Sequence, residues 1–191
     1  QGHRANLLVA ATGTGKTVMA AVDYVRLARR LTGSRLLFVA HSKEILQQSL
    51  LTFRHAMHDG EFGELWVDGQ TPAQWQHVFA SIQSLSAKGL THIEPDHFDV
   101  VILDEIHHGA ARSYERLLEH VEPKQLLGLT ATPERADGQD ILQWFGGRIA
   151  AELRLWDAID QHRLVPFDYY GLHDNSDLTG VTWKRGRGYD A

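Results

Sequence analysis

The sequence predicts an α/β domain with a mainly parallel sheet and helices on both faces. Apolar runs of strand length alternate with segments of helical period, as where NLLVAA at residues 6–11 is followed by a helical pattern at residues 16–31. The run FDVVIL at residues 98–103 has the two-sided apolar character of a covered parallel strand. The 191 residues are enough for one such domain, which buries about 70% of its unfolded surface.

The other elements continue this alternation. Strands are predicted at residues 35–40, 64–67, 77–82 and 125–129, helices at residues 42–53, 113–121, 139–145 and 153–161, and an extended segment at residues 165–172. The helix at residues 16–31 is expected to bury Val18, Val22 and Val25, and Ser42 is expected to cap the next helix. From Asp174 onward the chain is polar and rich in glycine, which predicts a linker. We therefore predict a domain over residues 1–150 and an extension over residues 151–191.

Composition excludes several classes of protein. No apolar run approaches the ~20 residues that cross a bilayer, and Cys is absent, so disulfides and thiolate zinc sites are excluded. Both features lead us to expect a cytoplasmic protein without a membrane partner. The formal net charge is -5, whereas a domain that binds nucleic acid tightly by itself is usually basic. Any nucleic-acid contact is therefore expected to depend on local positive charge or on a further domain.

A glycine-rich loop lies between the first strand and the first helix. Residues 10–17 read AATGTGKT, which departs from the usual phosphate-loop pattern only in having Ala10 at its first position. Gly13 and Gly15 permit tight turns, so that successive backbone N–H groups can point at phosphate oxygens. Lys16 would reach the β- and γ-phosphates of ATP, and the Thr17 hydroxyl would bind Mg²⁺. The predicted ATP-binding residues are Ala11, Thr12, Gly13, Thr14, Gly15, Lys16, Thr17 and Val18.

Two adjacent carboxylates follow the apolar strand at residues 98–103. Asp104 and Glu105 come at its carboxyl end, where open parallel sheets bind their ligands. Asp104 would hold Mg²⁺, and Glu105 would orient or deprotonate the attacking water. Since the phosphate loop and the acidic pair each predict the other, the cofactors expected are ATP and Mg²⁺.

Taken together, the motifs resemble those of superfamily 2 helicases and translocases of the DExH type. The acidic box is Asp104-Glu105-Ile106-His107, and the other blocks run in the family's order at residues 40–46 (AHSKEIL), 81–85 (SIQSL) and 129–133 (LTATP). The resemblance covers residues 10–133 and implies the first RecA-like domain of such a motor, with a second RecA-like domain as its partner. The LTATP form and the Asp-Glu-Ile-His box resemble the translocating subunits of restriction enzymes and related DNA-repair helicases. DNA, rather than RNA, is therefore the expected partner.

The resemblance also assigns residues outside the phosphate site. His41, Ser42, Gln83 and Ser84 become candidates for contacts to the nucleic-acid backbone, although helix capping and loop hydrogen bonds would explain them equally well. Thr130 and Thr132 would couple the phosphate site to domain movement, and His107 would join the catalytic set of Lys16, Asp104 and Glu105. A simpler role for the two threonines is to form the hydrogen bonds that hold the loop after a buried strand.

The expected function is that of a DNA-dependent ATPase that hydrolyses MgATP to move along or remodel DNA. The alternative is a P-loop NTPase that acts on a small molecule or serves as a switch, without nucleic acid. The segment that holds adenine in relatives lies upstream of the phosphate loop, and the arginines that complete their site come from the second domain; neither is present here. We therefore expect this domain alone to bind nucleotide weakly and to hydrolyse it poorly.

Overall fold

A seven-stranded parallel sheet forms the centre of the fold, among the residues described by the computed structural model, which are 3–31, 33–86, 90–106, 111–133, 141–168, 182–184 and 188–190. The strands are β1 (Ala5–Ala10), β2 (Leu36–Ala40), β3 (Glu64–Trp66), β4 (His77–Ser81), β5 (Val100–Asp104), β6 (Gln125–Thr130) and β7 (Ala151–Leu153). Their order is β3-β4-β2-β5-β6-β1-β7, and every pairing is parallel. The predicted α/β class with a mainly parallel sheet is confirmed.

Helices cover both faces of this sheet. They are α1 (Lys16–Arg30), α2 (Lys43–Met57), the single turn α3 (Ile82–Ser84), α4 (Ala111–His120) and α5 (Leu155–Asp160), with 3-10 turns at Leu90–His92 and Ile141–Phe145. One core packs α1 and α2 on the sheet around Phe38, Phe53 and Phe79, whose rings lie 5.3–5.7 Å apart. The other core packs α3, α4 and the turn at Ile141–Phe145 on the opposite face. No helix in these described ranges is long and apolar enough to cross a membrane.

The buried face of α1 differs from the prediction. Val18 and Val22 are 54% and 43% exposed, and the helix instead buries Ala20, Ala21 and Tyr24. The small alanines allow the helix backbone to approach the sheet closely, and the Tyr24 hydroxyl reaches the backbone carbonyl of Ser34 at 3.1 Å. The valine pattern in the sequence therefore indicated a helix correctly but its buried face wrongly.

Two other segments depart from the sequence prediction, and a third is described only in part. The sequence predicts a helix at residues 139–145. The structure has a 3-10 turn at Ile141–Phe145, and residues 139–140 lie outside the described ranges. The extended segment predicted at residues 165–172 has no regular secondary structure at residues 165–168, and residues 169–172 lie outside the described ranges. Within the predicted linker, β8 (Thr182–Lys184) and β9 (Gly188–Asp190) form an antiparallel pair, since Thr, Trp and Tyr favour strands. The boundary at residue 150 stays a prediction, and β7 begins immediately after it.

Candidate nucleotide site

The phosphate loop joins the carboxyl end of β1 to the first residue of α1. Gly13 and Gly15 adopt left-handed backbone angles, with φ of +87° and +86°, which residues with a side chain rarely tolerate. Within the loop, the backbone N–H and the hydroxyl of Thr14 both donate to the carbonyl oxygen of Ala11, at 3.2 and 2.6 Å. The predicted turn of residues 10–17 is therefore held by its own backbone, and the N-terminus of α1 follows directly.

Lys16 is a buried cation at the start of α1. Its side chain is 9% exposed, and Nζ donates to the carbonyl oxygen of Ala10 at 3.0 Å. The same Nζ lies 3.5 Å from Oε1 of Glu105. A Lys at the surface of a glycine-rich turn would be solvated, whereas this ammonium group is held over the loop, where a phosphate would lie. The phosphate loop and the acidic pair, far apart in sequence, therefore meet through one ion pair.

Asp104 is a buried carboxylate at the end of β5. It is 5% exposed, and burial, followed by repulsion from Glu105, raises its pKa to about 6. Lys16 and the backbone N–H of Glu105 oppose this rise only in part. Below Asp104, the buried Tyr114 on α4 donates its hydroxyl hydrogen to the backbone carbonyl oxygen of Asp104 at 3.2 Å, and burial raises the pKa of this tyrosine. Tyr114 thus fixes the end of β5, a contact that the sequence pattern did not indicate.

Glu105 has an unusual backbone conformation. Its φ of +51° lies in the left-handed region, which costs a residue with a side chain about 1–2 kcal/mol. Its N–H donates to the carbonyl oxygen of Leu129 on β6 at 3.0 Å, so the neighbouring strand holds it there. Strained backbone of this kind is typical of functional sites, where it aims a side chain. Here the result is that the Glu105 carboxylate faces Lys16.

Oxygen donors suited to Mg²⁺ lie at the ends of two strands that flank β6. Thr17 is half-buried at the start of α1, after β1, and Asp104 ends β5. A hydroxyl and a carboxylate are the hard ligands that this ion takes together with phosphates. The pair of carboxylates also outnumbers the single cation Lys16, which leaves a negative charge for a divalent ion to compensate. The donor set therefore fits the ion.

The two proposed coupling threonines are hydrogen-bonded to each other at the end of β6. Thr130 is completely buried, and its hydroxyl donates to the carbonyl oxygen of Thr132 at 2.9 Å while accepting from the Thr132 N–H at 3.2 Å. This is the simpler role considered from the sequence, and it shapes the loop next to Glu105. His107 lies outside the described residues.

The four nucleic-acid candidates lie at the ends of β2 and β4. Ser42 caps α2, its hydroxyl accepting from the N–H of Ile45 at 3.3 Å. Gln83 is exposed, and its amide nitrogen donates to the carbonyl oxygen of His41 at 3.3 Å, which joins the two sequence blocks. Ser84 donates its N–H to the hydroxyl of Ser81 at 3.0 Å. The structure brings the two blocks together, and each of the four residues already makes a local contact through its side chain or its backbone.

The amino-acid sequence of the domain matches the model of a protein family. Residues 1–135 match the family described as type III restriction enzyme, res subunit. The chain belongs to this family. Its fold is that of the first RecA-like domain of superfamily 2 helicases and translocases, as the motifs predicted, and the small-molecule alternative is not favoured.

Individual relatives of this res-subunit family domain include restriction enzymes and helicases. The chain is 29% identical to the type I restriction enzyme EcoAI endonuclease subunit of Escherichia coli, over 98% of this chain and 24% of the relative. It is 32% identical to the putative mitochondrial ATP-dependent helicase irc3 of Schizosaccharomyces pombe, over 74% of this chain and 24% of the relative. The chain therefore spans about a quarter of the length of these relatives.

Solved structures give the same picture. A fragment of a putative HsdR subunit of a type I restriction enzyme from Vibrio vulnificus is 32% identical, with a TM-score of 0.61 over 84% of this chain and 28% of that chain. The type ISP restriction-modification enzyme LlaGI, solved with a DNA substrate mimic, has a TM-score of 0.63 at 18% identity, over 84% of this chain and 19% of that chain. The second likeness supports the fold alone.

Proposed function

We propose that this domain binds and hydrolyses MgATP, and that the protein containing it uses the hydrolysis to move along or remodel DNA. The observation that carries the proposal is the meeting of the buried Lys16 and Asp104 with the half-buried Glu105, a cation and two carboxylates at the carboxyl ends of β1 and β5. Burying these charges opposes folding, so a function explains them better than stability does. The relatives named as ATP-dependent helicases and restriction enzymes support the choice of ATP and DNA.

Each residue has a distinct role in this mechanism. The backbone N–H groups of residues 11–18 cradle the phosphates, and Lys16 leaves Glu105 to bind the β- and γ-phosphate oxygens. Thr17 and Asp104 would hold Mg²⁺, which would supply positive charge to the phosphates. Glu105, once released from Lys16, orients a water molecule and accepts its proton during attack on the γ-phosphorus. Loss of the γ-phosphate would then change the contacts made at the phosphate site. Thr130, Thr132 and His107 would transmit this change to movement of the two domains.

DNA and a second RecA-like domain complete the proposal. His41, Ser42, Gln83 and Ser84 come directly after the carboxyl ends of β2 and β4, where they would position a DNA backbone without reading its sequence. A second domain would supply arginines to the γ-phosphate, a contribution of about 10³–10⁵ in rate in related systems. The isolated 191-residue domain is therefore expected to hydrolyse ATP at least about 10³-fold more slowly than the complete protein.

The test is ATP hydrolysis by the full-length protein alone and with single-stranded DNA, duplex DNA or RNA. DNA should stimulate hydrolysis and RNA should not. The matched variant Lys16→Ala should bind no nucleotide and show no hydrolysis with any of these additions. Rates of ATP hydrolysis that are measurable and equal in all four conditions would contradict the DNA motor. They would favour a P-loop NTPase without a nucleic-acid partner.

A further inference from the structure

A groove opens between α1 and α2 on the side of these helices that faces away from the sheet. We call it the outer groove. It has a volume of about 540 Å³, and its apolar lining residues are Val22, Val25 and Ala28 of α1 with Ala56 and Met57 of α2. Val22 is 43% exposed and Val25 is half-buried. Valines that the sequence predicted to be buried thus line an open surface, and apolar surfaces of this kind are typical of contacts with another protein.

The outer groove lies away from the nucleotide site. The strands β1, β2 and β3 run in the same direction, so α1 and α2, which connect them, return from the carboxyl edge of the sheet to its amino edge. Val25 comes nine residues after Lys16, which is about 14 Å along the helix axis. A partner in the outer groove therefore leaves the phosphate loop open.

A second apolar surface, which we call the α5 patch, lies on the segment after β7. Trp156 and Phe167 are 69% and 56% exposed, and their rings are stacked with centroids 6.3 Å apart. The carbonyl oxygen of the buried Ala158 accepts from the N–H groups of Arg163 and Leu164 at 2.8 and 3.1 Å, which holds the segment in place. The patch comprises four of the eight exposed large apolar side chains in the described part of the chain: Leu155, Trp156, Val165 and Phe167.

The outer groove has a positively charged rim. Arg29 and His58 line it, and residues 24–31 of the chain contain three arginines and no acidic residue. Asp23, just before this stretch, lines a different cavity beside Asn6. The carboxylate of Asp59, which follows His58, accepts from the backbone N–H of Glu61 at 2.9 Å. The groove therefore suits an apolar partner with an acidic border.

The α5 patch has the opposite charge. Residues 151–168, which contain it, include four acidic residues and two arginines. Two of these acids, Asp157 and Asp160, are exposed on the same helix as Trp156. An apolar surface with an acidic border and an apolar groove with a cationic rim are complementary.

The charges also decide how two copies of the chain would meet. Neither surface covers the other within one molecule, since both are exposed. Two outer grooves in contact would bring their Arg29 side chains together, and two α5 patches would bring Asp157 and Asp160 of both copies together, which is unfavourable. The α5 patch of one copy on the outer groove of another instead pairs opposite charges. This head-to-tail contact leaves one free surface of each kind, so it continues past a dimer into a ring or a chain of molecules.

We propose that the protein associates with further copies of itself head to tail, with the stacked Trp156 and Phe167 of one copy seated in the outer groove of the next. Aromatic side chains bury about 150–250 Å² each and are frequent anchors of protein interfaces. Two rings and their apolar neighbours form a small contact compared with the roughly 800 Å² per partner of a standard interface. The association is therefore weak and depends on protein concentration.

The test is the mass of the full-length protein in solution, measured by analytical ultracentrifugation across the micromolar range. The mass of the wild type should rise with concentration beyond that of a dimer. Val22→Glu places a carboxylate in the groove, and Trp156→Ala with Phe167→Ala removes the two rings. Each of these variants should weaken self-association at least about tenfold. An equimolar mixture of the two should form a dimer and nothing larger, because it retains one intact surface of each kind.

Two further variants make the test specific. Met19→Glu is the matched control, since Met19 is 39% exposed on the same helix but lines a separate cavity beside Asn6. It should associate as the wild type does. Arg29→Glu is a second groove variant, which keeps the apolar lining and should weaken association through repulsion by the acidic border of the α5 patch. Thermal unfolding at the wild-type temperature shows that each variant is folded.

A mixed dimer of the two variants, with Met19→Glu unaffected, would support the inference. A mixture that stays monomeric would overturn it, because the two surfaces then do not bind each other. Self-association that survives in both variants would also overturn it, by placing the contact elsewhere on the protein. A wild type that is monomeric throughout would do the same; fluorescence of Trp156 that is then shielded from acrylamide, judged against Trp156→Phe, would assign the patch to another domain of the same chain. These measurements use no nucleotide, so their outcome is independent of the proposed function.

Discussion

The two halves of the sheet's carboxyl edge use their polar side chains in opposite ways. In the phosphate half, which comprises residues 10–17, 104–105 and 130, Lys16 and Asp104 are buried at a cost in free energy. In the outer half, which comprises residues 41–42 and 81–84, Ser42 caps a helix and Ser84 contacts Ser81. Groups in the first half are hard to explain without a ligand, whereas those in the second already contribute to folding. A polar residue at the end of a strand is therefore the strongest indication of function where its side chain does not stabilise the fold.

The largest effect is expected from Glu105→Gln in the phosphate half. The amide cannot accept a proton from water, so kcat for ATP hydrolysis should fall by about 10²–10⁴. Nucleotide affinity should be kept or improved, because Lys16 no longer has a carboxylate 3.5 Å away. Steady-state hydrolysis and calorimetric ADP binding in the full-length protein would measure both. Normal hydrolysis in this variant would show that Glu105 is not the base.

An intermediate effect is expected on stability from Asp104→Asn. The folded-state pKa of about 6 lies above the unfolded value of 3.8, so the fold prefers the neutral form. The ionised group should thus cost about 3 kcal/mol at pH 7, a cost that fades as the pH falls from about 6 towards 4. Asp104→Asn should therefore raise the free energy of unfolding of the nucleotide-free protein at pH 7 by roughly 1–3 kcal/mol, and by little at pH 4. Urea denaturation at both values measures the difference.

Asp99, just before the same strand, is the matched control for that prediction. Burial would raise its pKa, but hydrogen bonds from Lys124 and from the backbone N–H of Arg35 hold it below the ordinary value. Its contribution to stability is therefore present above the unfolded pKa and lost as the pH falls. Asp99→Asn should destabilise the protein at pH 7, the reverse of Asp104→Asn. If both variants shift stability in the same direction, the contrast between the two ends of β5 is wrong.

The smallest effect is expected from Ser42 in the outer half. Ser42→Ala removes the cap of α2 and should lower the free energy of unfolding by about 1 kcal/mol. Ser42→Asp keeps a capping oxygen and should retain stability. If Ser42 also contacts a DNA phosphate, the aspartate should weaken DNA binding more than the alanine does, as measured by fluorescence anisotropy. DNA affinity that is the same in all three proteins would restrict Ser42 to capping.

The sequence predicted the fold class and the elements that surround the site because both depend on local patterns. The glycines of residues 10–17, the apolar strand before Asp104 and the cap at Ser42 each have a local cause that can be recognised along the chain. The buried face of α1 could not be predicted in this way. Alanine and valine both suit a helix, and only the close approach to the sheet decides that Ala20 and Ala21, rather than Val18 and Val22, are buried.

The other features that the sequence did not predict depend on contacts between distant segments of the chain. Nothing near Tyr114 in the sequence indicates that its hydroxyl donates to the backbone carbonyl oxygen of Asp104. The left-handed backbone of Glu105 also depends on a hydrogen bond to another strand. Sequence patterns suggested the residues that are proposed to carry the chemistry, whereas the residues that position them could be found only in the tertiary structure.

The position of β1 in the sheet has a consequence for synthesis of the chain. Among the described strands, β1 pairs only with late ones: Ala5 lies opposite Leu126, and Leu8 lies opposite Ala151. A ribosome adds about 5–20 residues per second, so β1 waits roughly 6–24 s for its first partner. Meanwhile β2, β3 and β4 can already pair with one another. The strand that bears the phosphate loop is thus among the last to be enclosed, and a nascent chain stalled before residue 125 would expose an apolar segment that needs protection from aggregation.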